Sequence, residues 1–234
     1  MNLPALSAFA VVAFALPVFS QSMTWETTGP SQDREFGNNL VFANGGQGFS
    51  ATSWSHTGGR RNQSFEAALG VIYPTGVGVT NPGEGMRVPE HQIDNGRGND
   101  WVLLIFEGPV SDVTLTLDPY GTWDRDVTYY TANLDGAVDL SGLSYEDLAS
   151  LGFDQRVDDL SNRSNEDREI EINPESGTFN AILIGAFQDR PRGPRDIDRF
   201  KITGVNTLFT VPEPSTTMLG VMGAAMLLRR RRAK

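Results

Sequence analysis

The chain contains no cysteine. Disulfides, thiolate metal sites, iron–sulfur clusters and cysteine nucleophiles are therefore excluded together. Histidine is nearly as scarce, with only His56 and His91, which leaves little for histidine-based acid–base chemistry or a multi-histidine metal centre. There is no Gly-x-Ser-x-Gly elbow, no His-Glu-x-x-His pair and no Gly-rich phosphate loop, so the chain reads as a non-enzyme. Positive charge is also short, at 19 Lys and Arg against 29 Asp and Glu, a formal net charge of −10. Five of the basic residues and one of the acids lie from Pro212 onward, leaving 14 basic against 28 acidic residues before it. A surface this acidic repels nucleic acid and anionic lipid and tolerates salt or divalent cations, although solubility alone would also explain it.

What is present is a succession of short apolar runs punctuated by Gly, Pro, Asn and Asp. Leu40–Ala43 precedes the turn Asn44-Gly45-Gly46, and Ala67–Tyr73 is closed by Pro74. Trp101–Phe106 is continuously apolar, as a central strand buried on both faces should be, and Gly108-Pro109 then reads as a turn. Val113–Leu117 alternates strictly, Val127–Thr131 is β-branched and aromatic, and Arg168–Ile172 alternates charged and apolar residues as an edge strand does. Phe179–Ala186 is a second central strand, and Phe200–Ile202 and Leu208-Phe209 close the domain. One segment breaks the pattern. Ser144–Gly152 reads as a two-turn helix capped by Ser144 and stopped by Gly152, placed over one open end of the strands. The pattern predicts an all-β fold, an antiparallel, jelly-roll-like β-sandwich with one short helix over residues 36–210, with a closed barrel as the alternative. Residues 21–35 are polar and read as a flexible arm.

Both ends carry apolar segments. Leu3–Phe19 is mostly apolar, and Val18-Phe19-Ser20 suits cleavage between Ser20 and Gln21, which predicts a signal peptide over residues 1–20 and delivery by the Sec machinery; a buried strand or helix is the alternative. Residues 211–234 hold Val211-Pro212-Glu213-Pro214, the apolar stretch Met218–Leu228, and Arg229-Arg230-Arg231-Arg232. Eleven residues span about 16 Å as a helix, short of the ~30 Å of a bilayer core. Snorkelling arginines make insertion feasible, with the basic end cytoplasmic. This tail resembles the PEP-CTERM sorting signal of exported bacterial proteins. The resemblance implies a hydrophobic sorting helix in the inner membrane, transient recognition by the protease-transpeptidase exosortase, and release to the cell surface or extracellular polysaccharide matrix. A tail that simply stays as an anchor is the plainer alternative. The body is also similar to small PEP-CTERM surface proteins, through Gly70-Val71, His91-x-Ile93-Asp94-Asn95, Asp100, Val110, Asp124-x-Asp126, the segment near Leu148 and Phe200-Lys201-Ile202. That likeness implies no activity and no site.

Candidate site residues follow from the residue types. Glu90, His91, Asp94, Asn95 and Asp100 gather hard oxygen donors and one nitrogen around Gly96, as a Ca²⁺ site requires. Asp94-Asn95-Gly96 is equally a turn signature, and the spacing is not that of an EF-hand. The metal candidates are Glu90, Asp94, Asn95 and Asp100, with Asp196 and Asp198 second; Asp124 and Asp126 are expected to face Asp118. Tyr120 and Trp123, on a turn between acids, form a candidate sugar platform. Three readings stand: an exported non-catalytic surface or matrix protein, a Ca²⁺-dependent carbohydrate-binding module, and a secreted glycan hydrolase using an acidic pair.

Overall fold

In the computed structural model, residues 18–28, 35–57, 63–73, 75–84, 91–174, 177–189 and 196–212 are described. Contacts divide the chain into a body, Gln21–Phe209, and a unit made of the two ends, Met1–Ser20 with Thr210–Lys234. The strands are β1 (Val18–Glu26), β2 (Asn39–Asn44), β3 (Gln47–Thr57), β4 (Ser64–Ala67), β5 (Leu69–Tyr73), β6 (Gly76–Thr80) and β7 (Ile93–Asp94). There follow β8 (Asn99–Pro119), β9 (Val127–Ala132), β10 (Val157–Asp159), β11 (Arg168–Ile172), β12 (Phe179–Ala186) and β13 (Arg199–Pro212). Together they make one large, open, antiparallel sheet, and the fold is all-β.

The sheet is organised around β8. Its first half, Asn99–Phe106, lies between β3 and β12, with Trp101 opposite Trp54 and Gly185. Residues Asn99–Leu104 are all buried, because both faces of this stretch are covered. The second half lies between β11 and β13 and alternates, with Val113, Leu115 and Leu117 buried and Thr114 and Thr116 half-exposed. The sequence expectation of a turn at Gly108-Pro109 is corrected here: one 21-residue strand runs through it. Proline has no N–H to give a ladder, and it falls where one pair of neighbours hands over to the other. Asp112, at φ 49°, supplies the local irregularity.

Further corrections concern the ends and the helix. The expected arm is in part strand, since β1 pairs with β13 and Met23 and Trp25 are buried; residues 29–34 lie outside the described residues. Ser144 does not cap the helix from its side chain. The segment is a 3₁₀ helix, Glu146–Leu151, with Tyr145 at its N-terminal cap, and Asp147 accepts hydrogen bonds from both Ser144 N and Ser144 Oγ. Gly152 ends it at φ 94°, a left-handed conformation cheap only for glycine. This segment covers a sheet face, not an open end. Leu140, Leu148 and Phe153 pack with Trp54, Phe65, Trp101, Leu103, Tyr130 and Leu183 in one apolar cluster. A second aromatic group joins Trp25, Phe49, Phe106 and Phe209, with ring centroids 5.4–6.5 Å apart.

Candidate functional site

The connection from β7 to β8, residues 95–98, is flanked by Asp94, the last residue of β7, and Asp100, the second of β8. Asp94 Oδ1 accepts from Gly96 N at 2.7 Å, an Asx-turn that fixes the start of the loop. β7 pairs with β13 so that Asp94 faces Arg199, whose Nε stands 3.6 Å from Asp94 Oδ2. Asp100 lies opposite Ser55 of β3, on the sheet face away from Trp101. After β6, Asn81 arranges a short turn. Its Oδ1 accepts from Gly83 N at 3.0 Å, its N donates to Glu84 Oε2 at 3.3 Å, and its Nδ2 donates to Asp100 Oδ1 at 3.2 Å. The result is three carboxylates, Glu84, Asp94 and Asp100, each with an oxygen within 4.8 Å of the others. Asp100 is wholly buried and its Oδ2 has no hydrogen-bond partner. Burial first, then the charges of Asp94 and Glu84, push its pKa well above the usual carboxylate range.

A second acidic group, Asp124, Asp126 and Asp198, is built differently. Asp198 Oδ1 accepts from Asp126 N at 3.0 Å and its Oδ2 accepts from Asn95 Nδ2 at 2.6 Å, while Asp198 N donates to Asn95 Oδ1 at 3.0 Å. Asp126 Oδ1 accepts from Ser161 N, and Asp124 Oδ1 from Arg125 N. Here the protein itself satisfies the carboxylates, and the group stitches β13 to the loop before β9. Burial and the charge of Asp126 still raise Asp198 to about 8.

Between the loop and the 3₁₀ segment opens a polar cleft of about 400 Å³, whose lining includes His56, Arg97, Asn99, Tyr145, Gln188 and Asp189. The His56 ring stacks on Tyr145 at 3.7 Å, and Phe65 meets its edge. Tyr145 Oη in turn accepts from Trp101 Nε1 at 3.1 Å. Burial lowers His56 to about 4, against the opposing charge of Glu146, so its imidazole is neutral at pH 7. His56 Nε2 and Asn99 Oδ1 are both buried without a hydrogen-bond partner.

Of the expected metal ligands, Asp94 and Asp100 do come together. Asn95 turns away to Asp198, Glu90 lies outside the described residues, and Glu84 with Asn81 completes the group instead. Asp124 and Asp126 meet Asp198, not Asp118, which pairs across the sheet with Lys201. Tyr120 is exposed, and the ring of Trp123 carries the Arg199 guanidinium 4.4 Å from its centroid. At the tail, Val211 and Pro212 end β13, while Glu213, Pro214, Arg229, Arg230, Arg231 and Arg232 lie outside the described residues. The expected Ser20–Gln21 cut falls within β1. Among the described residues no helix is long and apolar enough to cross a membrane. No protein-family model, curated protein or solved structure matches this chain.

Proposed function

We propose that this chain is an exported, non-catalytic protein of the cell surface or extracellular matrix, sorted by exosortase through its C-terminal segment. The observation that carries the reading is the ordered tail itself, Val211-Pro212-Glu213-Pro214, then Met218–Leu228, then four arginines. In this reading Leu3–Phe19 directs Sec export, the apolar tail forms a sorting helix held briefly in the inner membrane, and the body is a jelly-roll-like sandwich. The sandwich draws support from β8, which changes neighbours at its middle, and from the aromatic group that brings β1, β3, β8 and β13 together. The intact mass of the surface-exposed protein tests the sorting. It should lack Arg229–Arg232, and Glu213→Ala should leave the precursor in the inner membrane. Recovery of the full C-terminus outside the cell would overturn it.

One observation favours a binding role for the body over a purely structural one. The cleft sets the polar side chains of Arg97, Asn99, Gln188 and Asp189 beside the stacked His56–Tyr145 ring pair. Mixed polar groups next to a ring suit a polyhydroxylated ligand, such as a sugar residue of the surrounding polysaccharide. Glycan-array binding that is lost in an Asn99→Ala variant supports this; turnover on a polysaccharide panel would instead favour the hydrolase alternative.

A further inference from the structure

We propose that Glu84, Asp94 and Asp100 bind one divalent cation of the Ca²⁺ class, which joins the turn after β6 to both ends of the loop between β7 and β8. The geometry fits the chemistry. Ligands 2.3–2.6 Å from a central ion stand at most about 5 Å apart, and one oxygen from each carboxylate lies within 4.8 Å of the others. Hard oxygen donors in a set without sulfur or imidazole suit Ca²⁺ or Mg²⁺ above softer metals.

Proximity of acids alone would not distinguish this group from the Asp124, Asp126 and Asp198 group. The difference lies in how each is satisfied. Both Asp198 oxygens accept hydrogen bonds from Asn95 and Asp126. Asp100 Oδ1 accepts from Asn81, while Oδ2, on a wholly buried residue, makes no hydrogen bond of ordinary geometry even though Ser55 stands beside it. A buried carboxylate oxygen without donor or cation is costly, and native proteins seldom leave one so. Arg199 approaches the group at Asp94 but is 3.6 Å away and pairs across β13 with that residue, not with Asp100. Ser55, opposite Asp100 on β3, also has an unpartnered Oγ. It defines the rival arrangement, in which Asp100 is a neutral acid hydrogen-bonded to Ser55.

The cation would have a structural consequence. Residues 95–99 form part of the cleft wall, and both anchors of that stretch, Asp94 and Asp100, would be ligands to the same ion. The site does not depend on what the cleft binds, and its test needs no glycan.

Full-length protein stripped with EDTA is titrated calorimetrically with CaCl₂ and, separately, MgCl₂, and melted with and without each ion at pH 7.5. The expectation is one equivalent bound and a melting temperature raised by about 5–10 °C at a hundredfold excess over Kd. Glu84→Gln should abolish both. Asp100→Asn should melt at or above wild type in EDTA, because an amide spares the cost of burying a lone acid there, yet gain nothing from the ion. Asp198→Asn should retain the calcium response. If neither ion shifts the wild-type melt or gives heat, the site is refuted and Asp100 is the neutral acid bonded to Ser55. An unchanged response in Glu84→Gln would refute this ligand set even if an ion binds; should Asp100→Asn fail to fold, Glu84→Gln decides alone, since Glu84 is only half-buried.

Discussion

Gly185 is the most sensitive point in the central ladder, and replacing it with alanine tests the register on which the body is built. It lies on β12, opposite Trp101 of β8 on one side and Thr128 of β9 on the other. A Cβ there would stand 2.4 Å from the Asp100 carbonyl oxygen and 2.6 Å from Trp101 Cδ2. Neither can retreat. The Asp100 backbone is held between β3 and β12, and the Trp101 ring is fully buried against Phe65, Tyr130 and Tyr145. Overpacking costs about 1–3 kcal/mol in general, and a clash with fixed backbone belongs at the upper end. The unfolded-state entropy lost when alanine replaces glycine returns less than about 1 kcal/mol. We therefore expect a net loss of about 2–3 kcal/mol from a typical total of ~5–15 kcal/mol, or roughly 5–10 °C in melting temperature for a body of this size. Gly108→Ala is the control, because its Cβ would meet nothing nearer than 3.8 Å; it should stay within about 0.5 kcal/mol of wild type. Urea melts followed by tryptophan fluorescence measure both. A Gly185 variant as stable as wild type, beside a weakened Gly108 variant, would mean that Gly185 does not face Trp101.

Phe106→Ala should cost about 3–5 kcal/mol, since Phe106 is buried among Trp25, Phe49 and Phe209; proteolysis and urea melts report it, and a loss under 1 kcal/mol would disperse that aromatic group. The contribution of Asp198 to stability should fall as pH rises from 6.5 toward 8, by about 1–2 kcal/mol in calcium-free buffer, partly offset as Lys201, lowered to about 8 by burial, loses its proton in the folded state. Asp198 is raised to about 8, so the folded state holds a proton there that the unfolded chain has released, and the stabilisation fades as pH approaches that value. His56 acts in the other direction but only between about 4 and 6.5, where the unfolded chain binds the extra proton. Melts at pH 6.5 and 8 check this, and Asp198→Asn should flatten the dependence.

The strands were legible where the sequence pattern had one cause. A run apolar at every position, Trp101–Phe106, can only be covered on both faces, and the alternation of Val113–Leu117 can only be covered on one. Gly108-Pro109 misled because turn chemistry and strand interruption leave the same residues, and only the exchange of β3 and β12 for β11 and β13 separates them. The polar stretch containing Trp25 concealed a strand because its pairing partner, β13, stands far along the chain. The site was half legible for a similar reason. Asp94 and Asp100 flank one loop and could be read together, whereas Glu84 arrives from the preceding turn. His56 lies in a Ser- and Thr-rich strand and gave no signal at all, since its partner Tyr145 is 89 residues away and meets it only through the 3₁₀ segment.

The length of β8 and its change of neighbours set the order in which the body can assemble. β3 precedes it, but β11, β12 and β13, which complete three of its four flanks, are synthesised afterwards. A chain emerging N-terminus first can form the β2–β3–β4 hairpins early, yet its longest strand stays half-paired until residues beyond Phe200 are free. Loop-closure entropy on such long separations makes this topology slow to fold. The body thus remains threadable until its last strand appears, and that last strand, β13, ends at Pro212. Closure of the sheet therefore waits on the last stretch of the body, and a truncation upstream of Arg199 would remove the strand that flanks the whole second half of β8.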